Sequence, residues 1–245
     1  MTKRNPKQEG TSLYDCTPQA GKCPIGCNQC FFNRPGAFYT DTPSVPTPEE
    51  IGDGIVRMNC GADSNIQRYL VIATAKQYKD VFFNTSIPVF DFPGPVVFTA
   101  NAKEEEPAYL PFKCIETYGS VPKNLMFVRL RVSGTNIYYI DEAVQAWTLH
   151  QVPVVLTFMA YYDKKPKISE DVYYYIGDVD FCYEWRVRHI NSYWCPTKAF
   201  LRYVLDRYQH NRLVSMCGSV DVGYCRACRN CETYYLQTAK RLRGE

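Results

Sequence analysis

Short apolar runs alternate with longer amphipathic stretches over the first two thirds of the chain. Runs rich in β-branched and aromatic residues are typical of buried strands, whereas apolar residues three and four positions apart indicate helices. Amphipathic stretches at 64–78 and 137–150 predict two helices. Six strands are predicted, at residues 13–14 (the weakest), 55–59, 81–84, 96–99, 125–132 and 152–161.

This order of elements predicts an α/β fold. Apolar strands that alternate with helices form a parallel sheet covered by those helices. The pattern alone does not separate a doubly wound sheet from a barrel, but in both the active residues lie at the carboxyl ends of the strands. A proline-rich link at 41–48 precedes the series and leads into a short helix at Pro48. Residues 166–245 differ, being rich in Tyr, Trp, Arg and Cys, with one predicted helix at 197–210.

Composition narrows the class of protein. No apolar run approaches the ~20 residues that span a bilayer, and no apolar segment follows the charged start, so we expect neither a membrane anchor nor a signal peptide. A chain of 245 residues needs no disulfides to fold, and its 12 cysteines are clustered. Clustered cysteines therefore favour metal ligation in a reducing cytoplasm.

The positive charge is concentrated near the end of the chain. Residues 184–245 hold eleven Lys and Arg against five Asp and Glu, while the whole chain has a net charge of only +3. One interpretation is a solvated basic face around an anionic metal–thiolate site. The other is an anionic substrate such as a nucleic acid.

Three cysteines lie within eight residues, at Cys23, Cys27 and Cys30. The spacing C-x₃-C-x₂-C lets all three thiolates turn toward one metal centre, and Gly26 makes the loop easy to curl. A 4Fe-4S cluster normally has four cysteine ligands, so three would leave one iron open for chemistry. Structural zinc prefers a closed set of four ligands. Free thiols or part of a zinc loop are the alternatives.

This loop resembles the cluster-binding loop of the radical S-adenosylmethionine (radical SAM) enzymes. All three cysteines match; Gln29 stands where the family usually has an aromatic residue, a place that Phe31 and Phe32 could fill. The resemblance implies a partial (β/α)₆ TIM-like barrel over residues 12–165, with 166–245 as a Cys-rich extension. It also implies S-adenosylmethionine on the open iron and a flavodoxin- or ferredoxin-like electron donor. Reductive cleavage would give a 5′-deoxyadenosyl radical that takes a hydrogen atom from an unknown substrate.

The resemblance places the S-adenosylmethionine pocket at the strand ends. After the second strand, Gly61 and Asp63 stand where the family often has a Gly-Gly-Glu-like turn that receives the methionine amine; a helix N-cap at Asp63 is the alternative. Arg131 would bind the methionine carboxylate or, alternatively, a protein acid. We expect Cys23, Asn59, Asn84, Thr99 and Arg131 near one rim. The candidate cofactor-binding residues are Asn59, Gly61, Asp63, Asn84, Arg131 and Ser133.

A second cysteine group closes the chain, at Cys217, Cys225, Cys228 and Cys231. Its C-x₂-C-x₂-C core resembles the ferredoxin-type run that binds 4Fe-4S clusters, which favours an auxiliary 4Fe-4S cluster over structural zinc or free thiols. The other cysteines have no spacing signal and are expected to be small buried apolar residues, although one of them could replace Cys217 as a ligand. They are Cys16, Cys60, Cys114, Cys182 and Cys195.

The sequence therefore predicts a cytoplasmic radical SAM enzyme with no membrane partner. The competing hypothesis is a non-catalytic protein, stabilised by iron–sulfur or zinc, that binds nucleic acid through the basic extension.

Overall fold

The computed structural model describes residues 4–27, 30, 42–101, 119–162, 165–166, 179–189 and 192–245. The strands are β1 (Leu13–Cys16), β2 (Ile55–Met58), β3 (Val81–Thr85), β4 (Val96–Thr99), β5 (Leu125–Val132), β6 (Val154–Phe158), β7 (Tyr183–Arg186), β8 (Tyr193–Pro196) and β9 (Val214–Met216). The helices are α1 (Pro48–Ile51), α2 (Arg68–Ala75), α3 (Ile137–Leu149), α4 (Val179–Cys182), α5 (Lys198–Asp206), α6 (Cys225–Cys228) and α7 (Asn230–Arg243).

Seven of the described strands form one parallel sheet in the order β1-β2-β3-β4-β5-β6-β9. Neighbours in the chain are neighbours in the sheet, and β9 joins at the edge beyond β6. The predicted α/β class is thereby confirmed, with each of the six predicted strands present. Within the described residues β1 and β9 do not pair, so closure into a barrel stays a prediction.

The two faces of the sheet are named here by what covers them: the outer face packs against α2, α3 and α5, and the inner face is the opposite one. The outer face carries the larger hydrophobic core. Because side chains alternate along a strand, every second residue of the central strands faces the helices. Val128 and Leu130 of β5 are buried there, together with Trp147 of α3 and Phe200 of α5. The outer helices therefore cover one complete face of the sheet.

The inner face carries a smaller apolar cluster near the amino ends of the strands. Its sheet residues pack under the last helix, α7, whose Tyr235 ring lies 6.2 Å from Phe82 and whose Tyr234 ring lies 5.4 Å from Phe127. This helix ends the chain, so the C-terminal segment covers the inner face of the same sheet. The buried members are Leu13, Ile55, Phe82, Val97, Met126, Phe127, Val155 and Tyr235.

The region after residue 165 is more structured than the sequence predicts. It contributes β9 to the main sheet and a separate antiparallel hairpin, β7–β8. Strand β9 has only three residues, and the hairpin strands mix charged and aromatic residues, so neither produces a clear periodic pattern. None of the helices in the described ranges is long and apolar enough to span a bilayer.

The first outer helix begins later than predicted. Helix α2 starts at Arg68, after Gln67 in a left-handed conformation (φ 51°), so Asp63 is not its N-cap. The Asp63 carboxylate instead accepts hydrogen bonds from Asn65, Thr85 and Ser86. These bonds tie the turn to the end of β3 and so delay the helix.

Packing of α7 on the inner face predicts unequal effects for two neighbouring substitutions. Tyr235 is 6% exposed and donates a hydrogen bond to Asp80 (2.9 Å), whereas Leu236 is 56% exposed. Tyr235→Ala should lower the free energy of unfolding by about 3 kcal/mol. Leu236→Ala, the matched control, should change it by less than about 0.5 kcal/mol. Urea denaturation measures both, and equal losses would contradict the packing.

Candidate metal centres and cofactor site

The first cysteine group follows β1 at the carboxyl edge of the sheet. The loop turns at Gly26 (φ 63°), and the Cys30 N–H donates to the Cys27 carbonyl at 3.3 Å. Burial raises the pKa of Cys23 and of Cys27, and the neighbouring thiols add to both shifts. The three cysteines therefore lie within electrostatic range of one another. Gln29, Phe31 and Phe32 lie outside the described residues.

Arg131 lies at the same edge as this loop. Its positive charge opposes the rise in the pKa of Cys27, so the end of β5 and the cysteine loop are close enough to interact electrostatically. Its Nε donates to the Met159 sulfur at 3.0 Å, and its backbone N–H and carbonyl are held by Asn101 at 2.7 and 2.8 Å. Ser133 follows in the next turn and is fully buried. These hydrogen bonds hold the backbone of Arg131 in place at the end of β5.

The turn after β2 is built around Asp63. Its two carboxylate oxygens accept from the Thr85 and Ser86 hydroxyls at 2.8 and 2.9 Å, so the ends of β2 and β3 are joined. Gln19, from the segment before the cysteine loop, donates to the Asp63 carbonyl at 3.2 Å. The backbone of Asp63 also lowers the pKa of Cys23 slightly, so this turn and the cysteine loop are neighbours. The Asp63 carboxylate is fully hydrogen-bonded within the turn. We therefore assign Asp63 a structural role, in which it positions the cysteine loop. Gly61 lies in the same turn.

Two asparagines at this edge keep unsatisfied acceptors. Asn59, in a left-handed conformation (φ 57°), donates to the Ser64 hydroxyl at 3.2 Å, and Asn84 donates to the Met58 carbonyl at 2.9 Å. Both side-chain carbonyl oxygens are buried and accept no hydrogen bond within the described part of the chain. An unsatisfied buried acceptor costs free energy, so both oxygens suit a ligand that donates, such as an amine.

The second cysteine group lines a small cavity against the inner face of the sheet. Cys217 follows β9, Cys225 and Cys228 bound α6, and Cys231 lies in the first turn of α7. Four thiols from three parts of the chain thus line one cavity. The rest of the cavity wall is formed by Leu13, Arg57, Phe127, Arg129, Val155, Arg229 and Asn230.

Cys217 and Cys228 form a hydrogen-bonded thiol pair. The Cys217 thiol donates to the Cys228 sulfur, which lowers the pKa of Cys228 to about 5 and raises that of Cys217. The backbone groups of Asn230 and Gly218 also lower the pKa of Cys228. Burial instead raises the pKa of Cys225 and of Cys231. Of the four cysteines, Cys228 is the one whose pKa is lowered, and its sulfur lies 3.7 Å from the Cys225 carbonyl oxygen.

Several residues of this second site have no motif in the sequence. Arg57 donates to Asp15 at 2.7 Å, and Asp15 also accepts from Asn5 and Gln8. Cys60, which follows β2, interacts electrostatically with Cys225, and burial raises its pKa to about 12. Arg129 of β5 faces the same cavity. The alternation of residues along β2 and β5 was the one available signal, since it assigns Arg57 and Arg129 to one face. Cys114 lies outside the described residues.

Both thiol sets have the chemistry that iron–sulfur clusters require. Within the described ranges, however, no three Cys, His, Asp or Glu side chains are arranged to hold a metal ion, so the thiols would have to turn toward one another on binding. The chain is a member of the α/β class, with its polar strand ends and a cysteine loop at one edge. Comparison with protein-family models, curated proteins and solved structures gave no match to the chain.

The thiol pair predicts a distinct pH profile of alkylation. In metal-free reduced protein, iodoacetamide should modify Cys228 with a half-maximal rate near pH 5, because its pKa is lowered to about 5 and the thiolate is the nucleophile. Cys225 and Cys231 should stay slow at pH 7. Cys217→Ala removes the donor and should move the Cys228 profile up toward pH 8.5. Peptide mass spectrometry measures the rates, and a Cys228 midpoint near 9 in both proteins would contradict the pairing.

Proposed function

We propose that this protein is a radical SAM enzyme acting on an unidentified substrate. The observation that carries the proposal is the meeting of Cys23, Cys27 and Cys30 with Arg131 at the carboxyl edge of a parallel sheet. In such sheets this edge is where active residues gather. A partial barrel over residues 12–165, with the inner face as the pocket, is part of the proposal.

Each part of the cofactor has a matching group in this chain. Cys23, Cys27 and Cys30 would hold a 4Fe-4S cluster, and the bound cluster with S-adenosylmethionine supplies reductive cleavage and hydrogen-atom abstraction. The unsatisfied carbonyls of Asn59 and Asn84 suit the methionine amine. The Arg131 guanidinium suits the methionine carboxylate. Gly61, Asp63 and Ser133 shape the turns beside them.

The remaining features of the proposal concern the second site and the surroundings. Cys217, Cys225, Cys228 and Cys231 would bind an auxiliary 4Fe-4S cluster, since all four line one cavity. Arg226 and Arg229 stand between these cysteines in the chain, where cations offset thiolate charge. A flavodoxin- or ferredoxin-like protein would supply the electron. Exposed iron–sulfur clusters are sensitive to oxygen, so the proposed location is a reducing, oxygen-poor cytoplasm.

Removal of the first cysteine group should abolish the reaction. The variant Cys23→Ala/Cys27→Ala/Cys30→Ala should give no 5′-deoxyadenosine after anaerobic reconstitution and reduction with dithionite, because the cluster loses its three ligands. Cys195→Ala, on the hairpin, is the matched control and should retain production. Chromatography with mass detection measures the product. If the triple variant still makes it, this loop is not the radical source.

Iron content tests whether the second group holds a cluster. Reconstituted protein should contain about eight irons, four per cluster, and the triple variant should keep about half of them. Metal analysis and sulfide determination measure this. If the triple variant binds one zinc and no iron under the same anaerobic conditions, the auxiliary-cluster proposal fails. The C-terminal group would then be a structural zinc site.

A second candidate function, binding of nucleic acid without catalysis, is favoured by the β7–β8 hairpin. Trp185 is 46% exposed and lies 5.2 Å from Trp194 across the hairpin, and the Arg188 guanidinium lies 5.5 Å from the Tyr193 ring centre. Aromatic rings with adjacent cations can stack bases. Under this hypothesis wild-type protein binds single-stranded oligonucleotides and makes no 5′-deoxyadenosine.

A further inference from the structure

The cavity at the second cysteine group contains two arginines with different electrostatic surroundings. Arg57 of β2 and Arg129 of β5 both line it, on the inner face of the sheet. Four thiols line the same wall, and metal binding converts them to thiolates. The net charge near a bound metal therefore depends on whether each guanidinium is already neutralised by a protein acid.

Arg57 is already neutralised. Its Nε lies 2.7 Å from the Asp15 carboxylate, and the two side chains are only 9% and 5% exposed. Asn5 and Gln8 donate to the same carboxylate at 3.0 and 2.7 Å, which fixes the pair in place. A buried ion pair of this kind adds little net charge to the cavity.

Arg129 differs from Arg57 in having no acidic partner. In the part of the chain that the structure describes, no carboxylate lies within ion-pair distance of its guanidinium, whose ring contact is Phe127 at 5.9 Å. The groups that line the same cavity are thiols, those of Cys217, Cys225, Cys228 and Cys231. A partly buried cation without a carboxylate calls for another anion, and here the thiolates are next to it.

We propose that Arg129 is the charge-compensating residue of the metal–thiolate centre at Cys217, Cys225, Cys228 and Cys231. This inference rests on the auxiliary cluster proposed above. A fixed positive charge favours the form of the cluster that carries one more electron, so Arg129 raises its reduction potential. Arg129 acts on the cluster by charge, and the side chain is not a ligand.

The test uses the full-length triple variant Cys23→Ala/Cys27→Ala/Cys30→Ala, in which the second centre is isolated. Into it are placed Arg129→Met, Arg129→Lys and, as the matched control, Arg188→Met on the exposed hairpin. Iron content is measured first, and the midpoint potential follows from a redox titration monitored by electron paramagnetic resonance. Circular dichroism reports whether each variant is folded.

Arg129→Met should retain the cluster and favour the oxidised form about tenfold, which is about 59 mV to lower potential for a one-electron couple. Arg129→Lys keeps the positive charge, so its potential should stay close to that of the protein with Arg129. Arg188→Met should not change the potential. Loss of iron in folded Arg129→Met with retention in Arg129→Lys would also support the role of charge. An unchanged potential in Arg129→Met, or the same shift or loss in Arg129→Lys, would overturn it.

Failure of the proposed function gives a different result. If the triple variant with Arg129 intact binds no iron, the auxiliary cluster itself is absent and the inference falls with it. If the triple variant binds iron, and its cluster has the same midpoint potential with Arg129 as with Arg129→Met, the auxiliary cluster is present but the proposed role of Arg129 is wrong.

Discussion

The parallel direction of the seven strands in the main sheet is the constraint on which the candidate sites depend. It brings every carboxyl strand end to one edge, so residues far apart in the chain, such as Cys27 and Arg131, influence each other. Alternation of side chains then divides the molecule. The outer face is apolar throughout and is covered by helices, whereas the inner face is apolar only near the amino ends. Toward the carboxyl ends the same face carries Asn59, Asn84 and Arg131, so the polar edge is a direct continuation of the core.

The C-terminal segment both completes the core and carries the second cysteine group. Tyr235 of α7 belongs to the inner apolar cluster, and Cys231, one turn earlier on the same helix, packs against that cluster while lining the cysteine cavity. Helix α7 is also tied to the first strand, because the Glu232 carboxylate accepts from the Ser12 N–H at 2.5 Å. Metal binding at the cavity would therefore be coupled to the docking of this helix, as in small metal-stabilised domains. A metal centre there would stabilise the inner face in addition to any redox role.

The sequence predicts the sheet better than it predicts the sites. Long apolar runs such as 125–132 predict strands directly, and short cysteine spacings mark both thiol groups. The three-residue strand β9 has no such pattern. The Asp15–Arg57 pair joins residues 42 positions apart, and only the register of β1 against β2 places them opposite each other. Asp63 shows the same limit: a polar residue before a helix predicts an N-cap, but contacts with β3 decide its actual role.

The two cysteine groups are linked by consecutive inner-face residues of one strand. Arg129 and Arg131 are two positions apart on β5, which is roughly 7 Å along the strand. Arg131 influences Cys27 of the first group, and Arg129 influences Cys217 and Cys231 of the second. Because β5 is paired with β4 and β6 on both sides, the spacing between the Cα atoms of the two arginines is fixed by the sheet. If both centres form, a change of charge at one would therefore act on the other over this short distance along β5.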